Sequence, residues 1–249
     1  MKQLRIGLVL LVIGGILTTA AFFMAFTTAE MQRFGTVTFP ERIQTAYPLL
    51  NETDAGFVYE RPWFSQKIFY FHVPVAEASF LVFGVAAFFA IRFLITKRRE
   101  YDTKGRVAME TTLMFVLLTM ITGVLWTKAS WGVWWEWEPR LTTYFIMMLL
   151  IIAYFVLRNS IEDEERRAVY SAVFAIIAFI DAPISFFITR LIPSNHPVVF
   201  ESGFATSNLL PFIIAQVGML MVGYAIYVIR MSEERLSERV DMLKDSLEG

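Results

Sequence analysis

IGLVLLVIGGILTTAAFFMAFT, residues 6–27, contains no charged side chain and is long enough to cross a bilayer. A hydrocarbon core of roughly 30 Å takes about 20 helical residues. Five further apolar stretches follow, Ile68–Leu94, Val107–Trp126, Leu141–Leu157, Val169–Ile188 and Leu209–Ile229. Five of the six are ample. Leu141–Leu157 is short and is expected to borrow a residue or two at each end. Lipid supplies no partner for open backbone groups, so each stretch is expected to be helical. The expected fold is therefore all-α: a polytopic membrane protein of six transmembrane helices, embedded in the lipid bilayer. A soluble bundle would need a large amphipathic shell, and the sequence shows none. Lys2 and Arg5 precede the first stretch as they would a signal peptide, but its apolar run exceeds a signal core and reads as a retained helix.

The whole composition agrees. Of 249 residues, 56% are hydrophobic and 18% charged, and Phe alone contributes 24. That excludes a disordered chain. A net charge of -1 gives no reason to expect nucleic acid as a partner. With no cysteine there is no disulfide scaffold, no thiolate metal site and no CxxCH attachment motif for c-type haem. No GxxxxGK[ST] loop is present, so ATP hydrolysis by this chain is not expected.

Charge sets an expected orientation. With the N-terminus inside, 15 of the 22 basic residues fall on inner segments, and the KRREYDTKGR run at 97–106 is the densest. The outer segments hold the other seven, Arg33, Arg42, Arg61, Lys67, Lys128, Arg140 and Arg190. The positive-inside rule then puts both termini in the cytoplasm. Residues 1–230 read as a single six-helix domain and 231–249 as a short charged cytoplasmic tail, helical by the spacing of Leu236, Val240 and Leu243. The long outer segment, Thr28 to Lys67, is expected to pack over the outer mouth, since a structureless loop of that length is unusual.

Three outer features carry chemistry. His72 lies in KIFYFHVPVAEAS at the outer end of the second span, and His196 lies in RLIPSNHPVVFES before the last span. They are the chain's two histidines, each near a proline that restricts the backbone. Either alone reads most simply as a hydrogen-bonded surface or core residue. Together, on one side of the membrane, they could form an axial pair for haem iron. A zinc site completed by a carboxylate such as Glu201 is the poorer alternative, because no close-spaced ligand motif is present. The third feature is the tryptophan-rich outer segment 126–143, WTKASWGVWWEWEPRLTT, with Trp126, Trp131, Trp134, Trp135 and Trp137 inside twelve residues. If it is helical, Trp131, Trp134 and Trp135 share a face. An interfacial aromatic belt needs only one or two rings per helix end. Several rings could instead form a platform for a planar macrocycle, with Arg140 donating to a carboxylate such as a haem propionate. Two further acids lie in or beside spans. Asp181 reads equally as a lock between helices or a functional group, and Glu77 as a cavity or headgroup residue.

The pattern WGxWWxW, then an acid, then xRLT, resembles the tryptophan-rich signature of the haem-handling membrane proteins of cytochrome c maturation, and most closely the haem exporter protein C branch. KIFYFHVP resembles that branch's first histidine motif. His196 falls where its second is expected, and the six-helix layout matches over nearly the whole chain. Glu138 stands where the family usually has aspartate. The resemblance implies haem b bound non-covalently at the outer (periplasmic) face of a bacterial inner membrane. It implies His72 and His196 as axial ligands, Trp131, Trp134, Trp135 and Trp137 as platform, and Glu138 and Arg140 at its rim. The implied partners are a membrane-anchored haem chaperone that receives the haem, ABC-type ATPase and permease subunits, and a small single-span subunit. No bond-making catalysis is expected. A membrane permease subunit for a small molecule is the competing reading and predicts a polar mid-membrane cavity. A purely structural subunit would leave the shared side of the histidines and tryptophans without a reason.

Overall fold

The computed structural model describes residues 2–29, 50–53, 56–59, 63–192, 196 and 206–248. Its elements are α1 (Lys2–Thr27), β1 (Leu50–Thr53), β2 (Gly56–Tyr59), α2 (Trp63–Thr96), α3 (Arg99–Trp131), α4 (Pro139–Ser160), α5 (Glu164–Phe179), α6 (Asp181–Leu191) and α7 (Thr206–Glu248). They supply six helical spans of membrane length and composition: Lys2–Thr27, Lys67–Thr96, Arg99–Trp131, Pro139–Ser160, Glu164–Leu191 and Asn208–Leu247. The spans expected from the apolar runs are all present and mostly longer, because helices continue past the hydrocarbon into charged turns. The fourth gains two residues before Leu141 and three after Leu157.

Three features go beyond the sequence expectation. An antiparallel hairpin pairs Leu50 with Tyr59 and Thr53 with Gly56, a small sheet in an otherwise helical fold. It belongs to the long segment between Thr28 and Lys67, most of which lies outside the described residues. The fifth span is broken into α5 and α6 at Ile180, whose N–H bonds the Ile177 carbonyl one residue short of helical register. Pro183 lacks the N–H that would reach Phe179, so the ladder cannot continue unbroken. The charged tail, helical as its spacing predicts, is not a separate short helix but continues the last span within the 43 residues of α7.

Side chains facing outward are apolar. Val12, Ile16 and Phe23 on α1, Leu81 and Ile95 on α2, and Val156 on α4 are exposed, as a lipid-facing surface requires. The interior holds small and aromatic residues. Ala168, Ala172, Ala175 and Ala178 of α5 bury against α2 beside Phe83, Ala86 and Ala90. Small residues allow close helix approach where lipid removes the hydrophobic drive for association. The same device joins α1 to α7. Gly7, Gly14, Ala21 and Ala25 form the buried face of α1. A Cβ on Gly14 would stand 2.8 Å from the Gly218 carbonyl oxygen, and one on Gly218 would stand 2.7 Å from Thr18 Oγ1.

At the end opposite the tryptophan-rich segment, ion pairs tie the helices. Arg158 of α4 is buried and donates in a bidentate way to Asp102 of α3, at 2.8 and 2.6 Å. Arg230 of α7 reaches Glu110 of α3 at 2.6 Å, and Arg106 pairs with both Glu110 and Glu234. These charge-assisted bonds fix α3 against α4 and α7.

Gly218→Val is expected to force α1 from α7 and destabilise the protein by about 1–3 kcal/mol, the usual cost of overpacking. Gly15 has open space around its Cα, so Gly15→Ala serves as control. The check is the unfolding midpoint in detergent, which should fall for the first variant and hold for the second.

Candidate functional site

Helix α3 stops inside the tryptophan-rich segment because Gly132 takes the left-handed conformation at φ 76°, and its N–H returns to the Lys128 carbonyl. Only glycine adopts that backbone without strain. Lys128 Nζ donates to the Gly132 carbonyl at 2.7 Å and neutralises the helix end. The chain then runs irregularly to Glu138, whose side chain caps α4 by accepting from Leu141 N at 2.7 Å, with Pro139 opening the helix. The face-sharing expected of a helical segment therefore does not arise. Trp131 ends a helix, while Trp134, Trp135 and Trp137 sit on an irregular bridge between two.

That bridge roofs a cavity of about 90 Å³ at one end of the bundle. Its lining includes both histidines, Trp126, Trp131, Trp135 and Arg140. Glu77, Phe186 and Arg190 also line it. The two imidazoles come from distant parts of the chain and flank one indole. Trp126 lies 5.1 Å from the His72 ring and 5.8 Å from the His196 ring, both edge-on. Trp131 is 6.4 Å from His196. Beyond Ala76, which also lines the cavity, the α2 face continues through Phe80, which meets Phe186 of α6 edge-on at 6.1 Å. Arg140 and Arg190 both stand over the Phe186 ring, at 5.9 and 5.5 Å.

Each expected site residue has a definite place. His72 is buried on α2, with Nδ1 2.8 Å from Thr122 Oγ1 of α3. A Cβ on Gly123 would meet the His72 ring at 3.1 Å, so glycine there lets α3 pass close to the imidazole. His196 is described alone within its loop, with Nδ1 3.6 Å from Glu138 Oε1. Glu138 is buried at 5% exposure. Trp134 and Trp137 do not line the cavity and are 59% and 70% exposed. Trp134 lies under Lys128, and Trp137 packs edge-on with Trp135 and Phe145. Buried Trp135 Nε1 has no hydrogen-bond partner among the described residues. Leaving a buried donor unpaired costs about 1–3 kcal/mol, which a polar ligand group would offset.

Residues missed by sequence reasoning are Trp126 as the ring between the imidazoles, Thr122 as partner of His72, and Phe186 with Arg190 from α6. Arg190 carried a signal, being a basic residue only six positions before His196. Asp181 begins α6 immediately after the helix break, and its Oδ2 has no partner among the described residues. It does not line the cavity, and neither do Thr111, Thr112 and Gln216, the groups a mid-membrane polar path would use. Glu201, the acid considered for a zinc site, lies outside the described residues. Among the described residues no group of three or more side chains is arranged to hold a metal ion by protein ligands alone.

Two comparisons bear on this arrangement. The family profile described as heme exporter protein C matches residues 58–245. Among curated proteins, heme exporter protein C of Bradyrhizobium diazoefficiens is 28% identical over 183 residues, covering 72% of this chain and 70% of that protein. The protein of the same name from Haemophilus influenzae is 26% identical over 179 residues, covering 70% and 73%. That from Rhodobacter capsulatus is 29% identical over 119 residues, and there the match spans about half of each chain, 48% and 49%.

Thr122→Val removes the partner of His72 Nδ1 without changing side-chain shape. It should cost about 1–3 kcal/mol, the price of a buried polar atom left unpaired. Unfolding in detergent, with Thr27→Val at an exposed position as reference, measures this. Equal stability of the two variants would contradict the placement of the imidazole.

Proposed function

This chain belongs to the heme exporter protein C family, and on that premise we propose that it binds haem b non-covalently at the periplasmic face and relays it to a membrane-anchored haem chaperone. Membership places the chain, a multi-pass membrane protein, in haem handling during cytochrome c maturation. The observation that carries the finer reading is the convergence of its two histidines on one cavity walled by Trp126, Trp131 and Trp135 and edged by Arg140.

The residues fit such a cargo. Iron in a porphyrin needs one donor atom above and one below the plane, and neutral imidazoles serve both positions. His72 would supply one from α2 and His196 the other from the loop between α6 and α7. Trp131 and Trp135, with Trp126, give flat apolar surface against which the macrocycle would lie. Trp134 and Trp137 extend that surface to its exposed side, where a receiving protein would approach. Arg140 sits where a propionate would leave the apolar wall, and a guanidinium binds a carboxylate through two parallel bonds. Glu138 holds the rim by capping α4. The family's usual aspartate would cap equally well, since either carboxylate accepts from the first-turn amides.

In this reading the chain holds and orients haem but does not hydrolyse nucleotide. The energy for the cycle comes from ABC-type ATPase and permease subunits, with a small single-span subunit completing the assembly in the inner membrane. Both termini lie in the cytoplasm, which the excess of basic residues at the opposite end from the tryptophans supports. A periplasm-active reporter placed after Val133 and a cytoplasm-active one after Gly249 should both work. The inverse pattern would turn the site to the other side of the membrane.

Protein purified from haem-replete cells is expected to show the Soret band of a six-coordinate iron. His72→Ala and His196→Ala should each weaken it. Arg140→Ala should lower haem retention roughly ten- to a hundred-fold, matching about 1.5–3 kcal/mol for one charge-assisted contact. Normal six-coordinate binding in both histidine variants would overturn the axial pair.

A further inference from the structure

The two imidazoles have unlike partners. Thr122 Oγ1 donates its single proton to the backbone, with carbonyl oxygens of Leu118 and Thr119 at 2.9 and 3.1 Å. With that proton on the backbone, Thr122 Oγ1 at 2.8 Å accepts from His72 Nδ1 when the ring is the Nδ1–H tautomer, which leaves Nε2 its lone pair. The acceptor is a neutral hydroxyl. On the other side, Glu138 Oε1 stands 3.6 Å from His196 Nδ1, just outside hydrogen-bonding range. The same oxygen accepts from Leu141 N at 2.7 Å. The N-terminus of α4 thus holds a buried carboxylate beside the ring. Trp126 and Trp131 limit how that ring can turn.

Building on the haem reading above, we propose that Glu138 is a positioning residue that takes a hydrogen bond from His196 Nδ1–H, turns Nε2 into the cavity, and makes His196 the stronger of two unequal axial donors. A small rotation of the ring closes the 3.6 Å gap once Nε2 is held. A carboxylate on the far nitrogen raises the basicity of an imidazole ligand, and a hydroxyl does so far less. A more basic axial ligand favours the ferric over the ferrous state. The site would then bind iron asymmetrically, with His72 as the more readily displaced ligand. The device is compact, because one carboxylate both caps the helix that carries Arg140 and sets the strength of an axial bond.

The test compares wild type, Glu138→Gln and Glu138→Asp, each loaded with haem in detergent. Gln keeps an oxygen for Leu141 N but removes the charge, while Asp keeps the charge on a shorter arm. The midpoint potential of the bound iron should rise in Glu138→Gln and stay near wild type in Glu138→Asp, with unfolding midpoints alike. Conversion of the iron to five-coordinate in Glu138→Gln alone supports the proposal as well. Equal potentials and spectra in wild type and Glu138→Gln overturn it, as does equal loss of haem in both variants, which would mark Glu138 as a cap and nothing more. Absence of a six-coordinate band in the wild type would instead remove the haem reading itself, and this inference with it.

Discussion

Hydrocarbon offers no hydrogen-bond partner, so a chain that crosses it must satisfy every polar group from within. Most of this structure follows from that constraint. The backbone resolves it through six helical spans. Threonines inside α3 resolve it by donating to carbonyls one turn back, as Thr111, Thr112, Thr119 and Thr122 all do. Ser79 and Tyr144 bond each other at 2.6 Å across α2 and α4. His72 is satisfied the same way, and its only described polar partner there is a threonine already committed to the backbone. Exceptions among the described residues include Thr18, Ser171 and Gln216 within the spans, Trp135 at the cavity and Asp181 at the helix break.

The end of the bundle that carries the tryptophans is organised differently from the opposite end. At the end opposite the tryptophans, arginine–carboxylate pairs lock α3 to α4 and α7. At the tryptophan end the contacts are rings, chiefly edge-on, between aromatic and imidazole side chains. Salt bridges give fixed register. Edge-on rings can separate and re-form around a flat molecule at little cost in directed bonds.

Helix α6 contributes to the tryptophan end in a way the apolar pattern conceals. The break at Ile180 sets an eleven-residue helix apart from α5. It packs on α4 far more than on α5. It carries Phe186 and Arg190 to the cavity and leads into the loop of His196. One short segment therefore joins a wall of the site to one of its two imidazoles.

Much was legible from residues alone. Length and hydropathy determined six spans because the thickness of a bilayer is a fixed ruler. The density of tryptophans between Trp126 and Trp137, and two histidines assigned to one side, marked where chemistry would sit. Side-chain roles within that region were not legible. Whether Trp131 and Trp134 share a face depends on where α3 ends, and a left-handed Gly132 ends it between them. That Glu138 faces His196, and that Trp126 stands between two imidazoles 124 positions apart, depends on how helices far apart in sequence come together. Hydropathy is a property of each segment taken singly and so survives in the sequence. Proximity across helices is set by packing between segments, by the glycines and alanines that let them close, and exists only once the chain has folded.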